Sequence, residues 1–536
     1  MKVCPDIILY NGNIQTQDAA CPMTRAVAIS GNRILSTGPD RKILSLASKH
    51  TQVIDLDDRL VLPGFIDTHF HFYEWALNYD SIDFSRVCSF KEMQKTVSKK
   101  ALALGHDSWV LGQGFNESDW PEKKMPDRKD LDRIAPHNPV CIWRCDLHLA
   151  VANSMALRLA GISSKTPDPK DGAIAKDASG NPTGVLRELA ANLIRNVLPG
   201  LSRSKVLENM QKAVQDAHGL GITSVHDIRL MGGLDGRDAL TAWQALKREN
   251  KLHIRCHVAL PGEMTDQAID LGLCTGFGDD LLKIGYLKFF SDGGMGARTA
   301  WMTEKYLDAG YGMPLTPAED IESAVLKADR AGLSVMVHAI GDRASKEIIG
   351  MFKRVEARCE SRCVIPHRIE HIQMILPEDL EKLAALKNIA VSCQPNNLSL
   401  DISMIDSCVG PRGKYAYNLK SILKTGVPLM LSSDAPVADP NPLAGIYSAV
   451  TRKRMNHTPE QGWYAGQALS VEQAVKGLTI TPAVVSGTGD RLGSVSEGKL
   501  ADMIVLDQDI FKIDSDRIPD TRVDITIFNG RIVHER

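Results

Sequence analysis

VLPGFIDTHFH, residues 61–71, is an apolar run that ends on two histidines, His69 and His71. In an extended segment these imidazoles, two positions apart, share a face. An apolar strand with polar residues gathered at its C-terminal end is how barrel enzymes build their sites. Seven further runs share this texture: GITSVHD (221–227), HIRCHVAL (253–260), LKIGYLKFF (282–290), LSVMVHA (333–339), HRIEHIQ (367–373), IAVSCQP (389–395) and VPLMLSSDA (427–435). Amphipathic helical stretches lie between most of them, such as SRSKVLENMQKAVQDAHGLG (202–221) and PAEDIESAVLKADRAG (317–332). Strands alternating with helices predict a parallel sheet, and eight units predict a closed (β/α)8 TIM barrel, an α/β fold.

Outside that core the texture changes. DIILYNGNIQT, RAVAISGNRILSTG and TQVIDLDDRLVLPG near the start read as short strands between Asn-Gly, Gly-Asn and Pro-Gly turns. GKLADMIVLDQD and VDITIFNGRIVHER repeat the pattern at the end. Neither set can bury a core alone, so residues 1–60 and 488–536 are expected to combine into one small β-sandwich, with the barrel over 61–487. The gap after the first barrel strand, about 75–220, is too long for one connection. It holds its own strand-like pieces, SWVLGQGF and PVCIWRCD, and reads as a subdomain inserted over the barrel mouth.

With 43% hydrophobic and 24% charged residues, the 536-residue chain has the composition of a soluble globular protein. A net charge of -2 gives no reason to expect nucleic acid or an acidic membrane surface as partner. The N-terminus lacks a signal-peptide apolar core, and no stretch approaches the ~20 apolar residues that span a bilayer. Eleven scattered cysteines without a CxxC pair read as reduced thiols, and a cytoplasmic location is expected.

Lys288, His338, His371 and Asp434 also fall near the C-terminal ends of their strands. Singly, each has an ordinary structural reading: a hydrogen-bonded histidine, a snorkelling lysine, a capping aspartate. Together they would crowd one pocket, desolvated and without partners, unless a metal is bound. Imidazoles and a carboxylate without clustered thiolates suit zinc, with iron, manganese or nickel as alternatives. Six groups exceed the needs of one catalytic zinc, whereas two divalent ions would use them all if Lys288 bridges. An ammonium cannot ligate a cation, but a carbamate on the neutral amine can, and an apolar site favours that amine.

The segments LPGFIDTHFH, LKFFSDGGMGARTA, VMVHAIGDRA, RIEHIQ, LSSDAPV and SVSEGKLADMIVLD resemble the amidohydrolase superfamily, within it the branch of N-substituted formamide deformylases and YtcJ-like proteins. TGVLRELA and DLHLAVANSMAL look like that branch's insertion, so the similarity runs along essentially the whole chain. The tail VDITIFNGRIVHER departs slightly, lacking the Thr-x-x-Gly often seen before the final strand. The resemblance implies a metal-dependent hydrolase that cleaves a non-peptide C–N bond, an amide or N-substituted formamide, by attack of a metal-bound hydroxide. His69, His71 and Asp434 would hold the more buried ion and His338 and His371 a second, with carboxylated Lys288 bridging and Asp434 shuttling the proton. Whether one metal or two is used stays open.

Deamination or lactone and ester hydrolysis are the alternatives on the same site. A non-catalytic scaffold is the alternative of another class, disfavoured because all six ligands are present. His148, Asn153 and Arg298 are candidate substrate-binding residues, and Trp75, Trp120, Trp143 and Trp301 candidate cleft residues. Strand alternation points Glu370 away from His371 and assigns it structural support. The expected partner is a small-molecule substrate, and barrels of this type often form homodimers.

Overall fold

A computed structural model of the chain describes residues 4–358 and 360–536. Eight parallel strands form one sheet in sequential order: β1 (Phe65–Phe70), β2 (Ile222–Asp227), β3 (Arg255–Pro261), β4 (Leu282–Phe290), β5 (Val335–Ala339), β6 (His367–His371), β7 (Ile389–Cys393) and β8 (Leu429–Leu431). Nearly every strand residue is buried because helices cover the outer face, hence runs that are apolar without alternation. The covering helices include Arg203–Gly219, Gly236–Arg248, Ala318–Arg330, Asp342–Arg358 and Val471–Leu478. Closure between β8 and β1 falls just past the strand ends. The Asp434 amide donates to the His69 carbonyl and the His71 amide to the Ala435 carbonyl, both at 2.8 Å. The molecule is a (β/α)8 barrel, and the bonds that close it tie His69, His71 and Asp434 together.

Residues 61–63, read above as the start of the first barrel strand, lie in another sheet. Leu60–Pro63 pairs antiparallel with Met503–Leu506 and parallel with Asn13–Gln15. The chain crosses into β1 at Gly64, where a Cβ would lie 2.3 Å from the Thr223 hydroxyl oxygen. A second sheet, containing Ile7–Tyr10 and Ala26–Ser30, faces the first. Their apolar faces share a core that includes Leu9, Val27, Val61, Val505 and Ile527, drawn from both chain ends.

Between β1 and β2 the chain builds a six-stranded sheet in which Val110–Phe115 and Val140–Arg144 pair in parallel. Its antiparallel strands Leu149–Ala152 and Pro182–Glu188 carry His148 and Glu188 to the barrel mouth. Among the described residues no helix is long and apolar enough to cross a membrane.

Candidate metal centre

His69, His71, Lys288, His338, His371 and Asp434 line one cleft at the C-terminal mouth of the barrel. All six are buried. Asp434 is the hub. Its Oδ1 lies 3.4 Å from His69 Nε2 and 3.5 Å from His71 Nε2, and its Oδ2 4.0 Å from His371 Nδ1. The Asn397 amide donates to Oδ2 at 3.1 Å. The His338 and His371 rings sit 4.5 Å apart, and His371 is 4.8 Å from His69.

The hydrogen-bond accounting is incomplete in a way that suits a cation. His69 donates from Nδ1 to Glu370 Oε2, which fixes the tautomer and leaves the Nε2 lone pair facing Asp434. His71 Nδ1, His338 Nδ1 and Lys288 Nζ are buried with no hydrogen-bond partner. Orphaned polar atoms of this kind are rare and costly, about 1–3 kcal/mol each, so their convergence needs an explanation. One ligand atom from each of His69, His371 and Asp434 lies within 4.8 Å of the others, a spacing a metal ion can bridge. The donor set therefore fits a transition metal.

The charge states agree. Burial holds His69 and His338 well below the usual imidazole range and takes His371 to about 3, so all three offer neutral nitrogens. Burial also lowers Lys288 to about 8, against the pull of Glu370 and Asp434, which makes its neutral amine accessible near neutrality. Asp434 is buried, yet contacts from His71 and His371 hold its carboxyl below the ordinary value.

Backbone strain is present at the site. His371 (φ 68°), Asp434 (φ 63°) and Glu188 (φ 49°, ψ −131°) all occupy positive φ. Such conformations cost about 1–3 kcal/mol each, persist only where the surroundings over-determine them, and cluster at functional sites.

On the opposite wall His148 faces His338, with ring centroids 5.5 Å apart. Its Nδ1–H donates to Glu188 Oε2 at 2.7 Å, and Glu188 Oε1 accepts from the Thr299 hydroxyl. Burial opposes charge on this imidazole, but Glu188 outweighs it and pushes His148 up to about 9. Gly294 lets the loop after β4 close over the ring, since a Cβ there would sit 2.7 Å from it.

The amidohydrolase family profile matches residues 52–534. The chain belongs to the amidohydrolase family. It is 31% identical to YtcJ of Bacillus subtilis (strain 168), an amidohydrolase by name, over 99% of both chains. It is 26% identical to the N-substituted formamide deformylase of Arthrobacter pascens, over 99% of this chain and 98% of that one. Its fold matches a crystal structure of an uncharacterized metal-dependent hydrolase from Pyrococcus horikoshii OT3 with TM-score 0.75 and 27% identity, covering 95% of this chain and 99% of that one.

Not every expected residue of this amidohydrolase reaches the cleft. Asn153 caps the helix Ser154–Leu159. Its Oδ1 accepts from Ala156 N and Val140 N, and its Nδ2 donates to the Asn138 carbonyl, so its polar atoms are taken up within the insertion. Arg298 turns away to Asp308, at 2.9 Å, and to the Met295 carbonyl. Trp120 is fully buried against the Val87 carbonyl, and Trp75, Trp143 and Trp301 also lie outside the cleft lining.

Two supporting residues went unread as site residues. Glu370, assigned only structural support, grips His69 while Arg368 donates to the same Oε2 at 2.9 Å. Asp292, after β4, accepts from the amides of Ile340, Gly341 and Trp301 at 2.8–3.0 Å and so fixes the chain just past His338. Its signal was an acidic residue set between apolar β4 and a Gly-Gly turn.

Proposed function

We propose that this amidohydrolase hydrolyses a non-peptide C–N bond, in an amide or N-substituted formamide, at a metal site held by His69, His71, Lys288, His338, His371 and Asp434. The observation that carries this reading is the pairing across one cleft of an ionised carboxylate, Asp434, with a cationic imidazole, His148. When bound, one or two divalent transition-metal ions, zinc by ligand chemistry, would supply Lewis acidity and lower the pKa of water. Lys288 would join the ligand set as a carbamate, formed when its neutral amine adds carbon dioxide and loses a proton, so that two carboxylate oxygens carry the negative charge a cation needs.

Amide hydrolysis demands a base for water and an acid for a poor amine leaving group. Asp434 serves both in turn, taking the proton on a carboxylate oxygen and returning it to the departing nitrogen. His148 keeps one N–H on Glu188 and turns the other towards the cleft. There it donates to the substrate carbonyl oxygen as negative charge develops, in the manner of an oxyanion-hole donor. Glu370 and Arg368 hold the His69 ring. The cleft beside these groups holds a cavity of about 80 Å³.

The relative named N-substituted formamide deformylase supports the choice of substrate class. The test is a panel of N-substituted formamides, acyl amides, lactones and phosphoesters offered to metal-loaded protein, following amine release. Turnover of formamides or amides that chelation abolishes is expected. Turnover confined to lactones or phosphoesters, or full activity without metal, refutes the reading.

A further inference from the structure

The barrel has a second polar cavity, at its floor. It encloses about 220 Å³ and is lined by His257 from β3, Lys283 and Ile284 from the start of β4, Ile365 before β6, and Ser486 and Arg491 from the segment after the barrel. Lys283 and Lys288 share a strand, five residues apart, so this cavity lies roughly 16 Å down the barrel from the metal centre.

The polar groups that face it are donors. Lys283 is half-buried and makes no hydrogen bond or close ion pair with a described residue. Arg491 is anchored by Asp280 and, at 3.5 Å, by Asp490, and its guanidinium completes the wall. His257 is 7% exposed, and its imidazole has no hydrogen-bond partner among the described residues. It stacks face to face on His226, with centroids 4.6 Å apart and planes 7° from parallel.

The other polar groups nearby are already committed. His226 Nδ1 accepts from Arg368 at 2.8 Å, and its Nε2–H faces Ser486 Oγ at 3.2 Å. Ser486 donates to the Pro482 carbonyl, and Thr275 to the Gly285 carbonyl. Among the described residues no carboxylate lines the cavity. Burial, with Arg491 nearby, depresses Lys283 against the pull of Asp280 and Asp490. A bound anion removes that penalty and gives charge-assisted hydrogen bonds in its place.

We propose that this floor cavity is a second binding site, taking a small oxyanion, a phosphate or a carboxylate, on Lys283, Arg491 and the free imidazole of His257. It is separate from the catalytic mouth and does not depend on the substrate assigned there.

The experiment follows thermal unfolding of the full, metal-loaded chain against sodium phosphate, sodium sulfate and sodium succinate, with sodium chloride at matched ionic strength as reference. A saturable rise in Tm is expected, because a ligand that binds only the folded state stabilises it by mass action. The oxyanion that saturates lowest separates a phosphate site from a carboxylate site. Lys283→Gln, which breaks no existing bond, should weaken the apparent Kd about tenfold or more. His148→Phe, at the mouth, should leave it unchanged. His257→Phe keeps the stack on His226 and should also weaken binding, a second check if Lys283→Gln folds poorly. The absence of any saturable shift overturns the proposal. So does a shift that survives in both floor variants and vanishes in His148→Phe, since the anion would then sit at the mouth.

Discussion

The two ends of the barrel carry the same residue type on the same kind of strand, and they treat it differently. At the mouth, His71 and His338 each keep a buried nitrogen without a partner, and His69 and His371 turn theirs towards Asp434. Towards the floor, His257 apart, the histidines are committed: His226 gives one nitrogen to Arg368 and turns the other to Ser486. His367 accepts the Val335 amide at Nδ1, 3.1 Å away. That bond forces the proton onto Nε2, which faces Asp329 Oδ1 at 3.5 Å.

His367, Asp329 and Cys363 lie close enough together to ligate a metal. Yet the histidine has no lone pair to give, and burial pushes the Cys363 thiol up to about 12, so it stays protonated and donates to Asp329. Burial does not mark a ligand. Uncommitted lone pairs that converge on a carboxylate do, as they do around Asp434.

The sharpest way to break this contrast is to remove one carboxylate charge at each end. Asp434→Asn keeps size and a ligand oxygen but deletes the proton carrier. General acid–base groups contribute about 10²–10⁴-fold, so kcat on an amide substrate should fall by that factor with metal content retained. Asp329→Asn should leave kcat and metal content unchanged and cost about 1–3 kcal/mol of folding stability, because it disturbs a buried hydrogen-bond set. Equal kcat losses in both variants would erase the distinction.

His148 tests the cleft wall that faces the ligands. His148→Phe should lower kcat about 10²-fold or more, as loss of an oxyanion donor does, without loss of metal by elemental analysis. It should also change the pH dependence of stability in metal-free protein. The folded-state pKa is raised to about 9 from 6.5, so the stabilising contribution is fully present below pH 6.5 and fades as pH climbs through 9. Its size is about 3 kcal/mol at one pKa unit per 1.36 kcal/mol. Denaturant titrations at pH 6 and pH 10 should show wild type losing its advantage over the variant. A constant difference would mean that His148 is neutral in the fold.

Glu370 shows how far the site was legible and where legibility stopped. All eight strands are legible because each is an apolar run, and the proposed ligands stand out because they fall towards the ends of those runs. Gly64 hid the change of sheet, since VLPGFI is apolar on both sides of it. Strand alternation turns Glu370 away from His371. That holds only while the strand stays extended, and at His371 φ is 68°. The turn brings His371 into the mouth beside Glu370, whose own side is shared with Arg368 two positions earlier. Asn153, a candidate substrate reader in the sequence, caps the helix Ser154–Leu159, a role that an Asn before a helical stretch commonly takes. Glu370→Gln should weaken metal affinity about 10–100-fold, the usual effect of losing the group that orients a ligand histidine. Competition with a chelator would measure it, and an unchanged affinity would show that Arg368 and packing alone hold His69.

The smallest effect is expected at Arg298, and it bears on which parts of the mouth contact substrate. Arg298 follows β4 on the catalytic side, where an arginine commonly binds a substrate oxygen, but its guanidinium is already occupied. Nη2 and Nε reach Asp308 at 2.9–3.1 Å and Nη1 the Met295 carbonyl at 3.0 Å, and neither Arg298 nor Asp308 belongs to the cleft lining. Asp308 is half exposed, and an ion pair of that kind contributes about 0–1 kcal/mol. Arg298→Lys keeps the charge and loses the fork, so stability should fall by less than about 1 kcal/mol with KM and kcat both near wild type. A several-fold rise in KM at unchanged kcat would mean that the arginine swings from Asp308 to the substrate on binding. Asp308→Asn then decides between the two. If Asp308 merely parks an idle arginine, its removal leaves KM alone. If it competes with substrate for the guanidinium, its removal should lower KM.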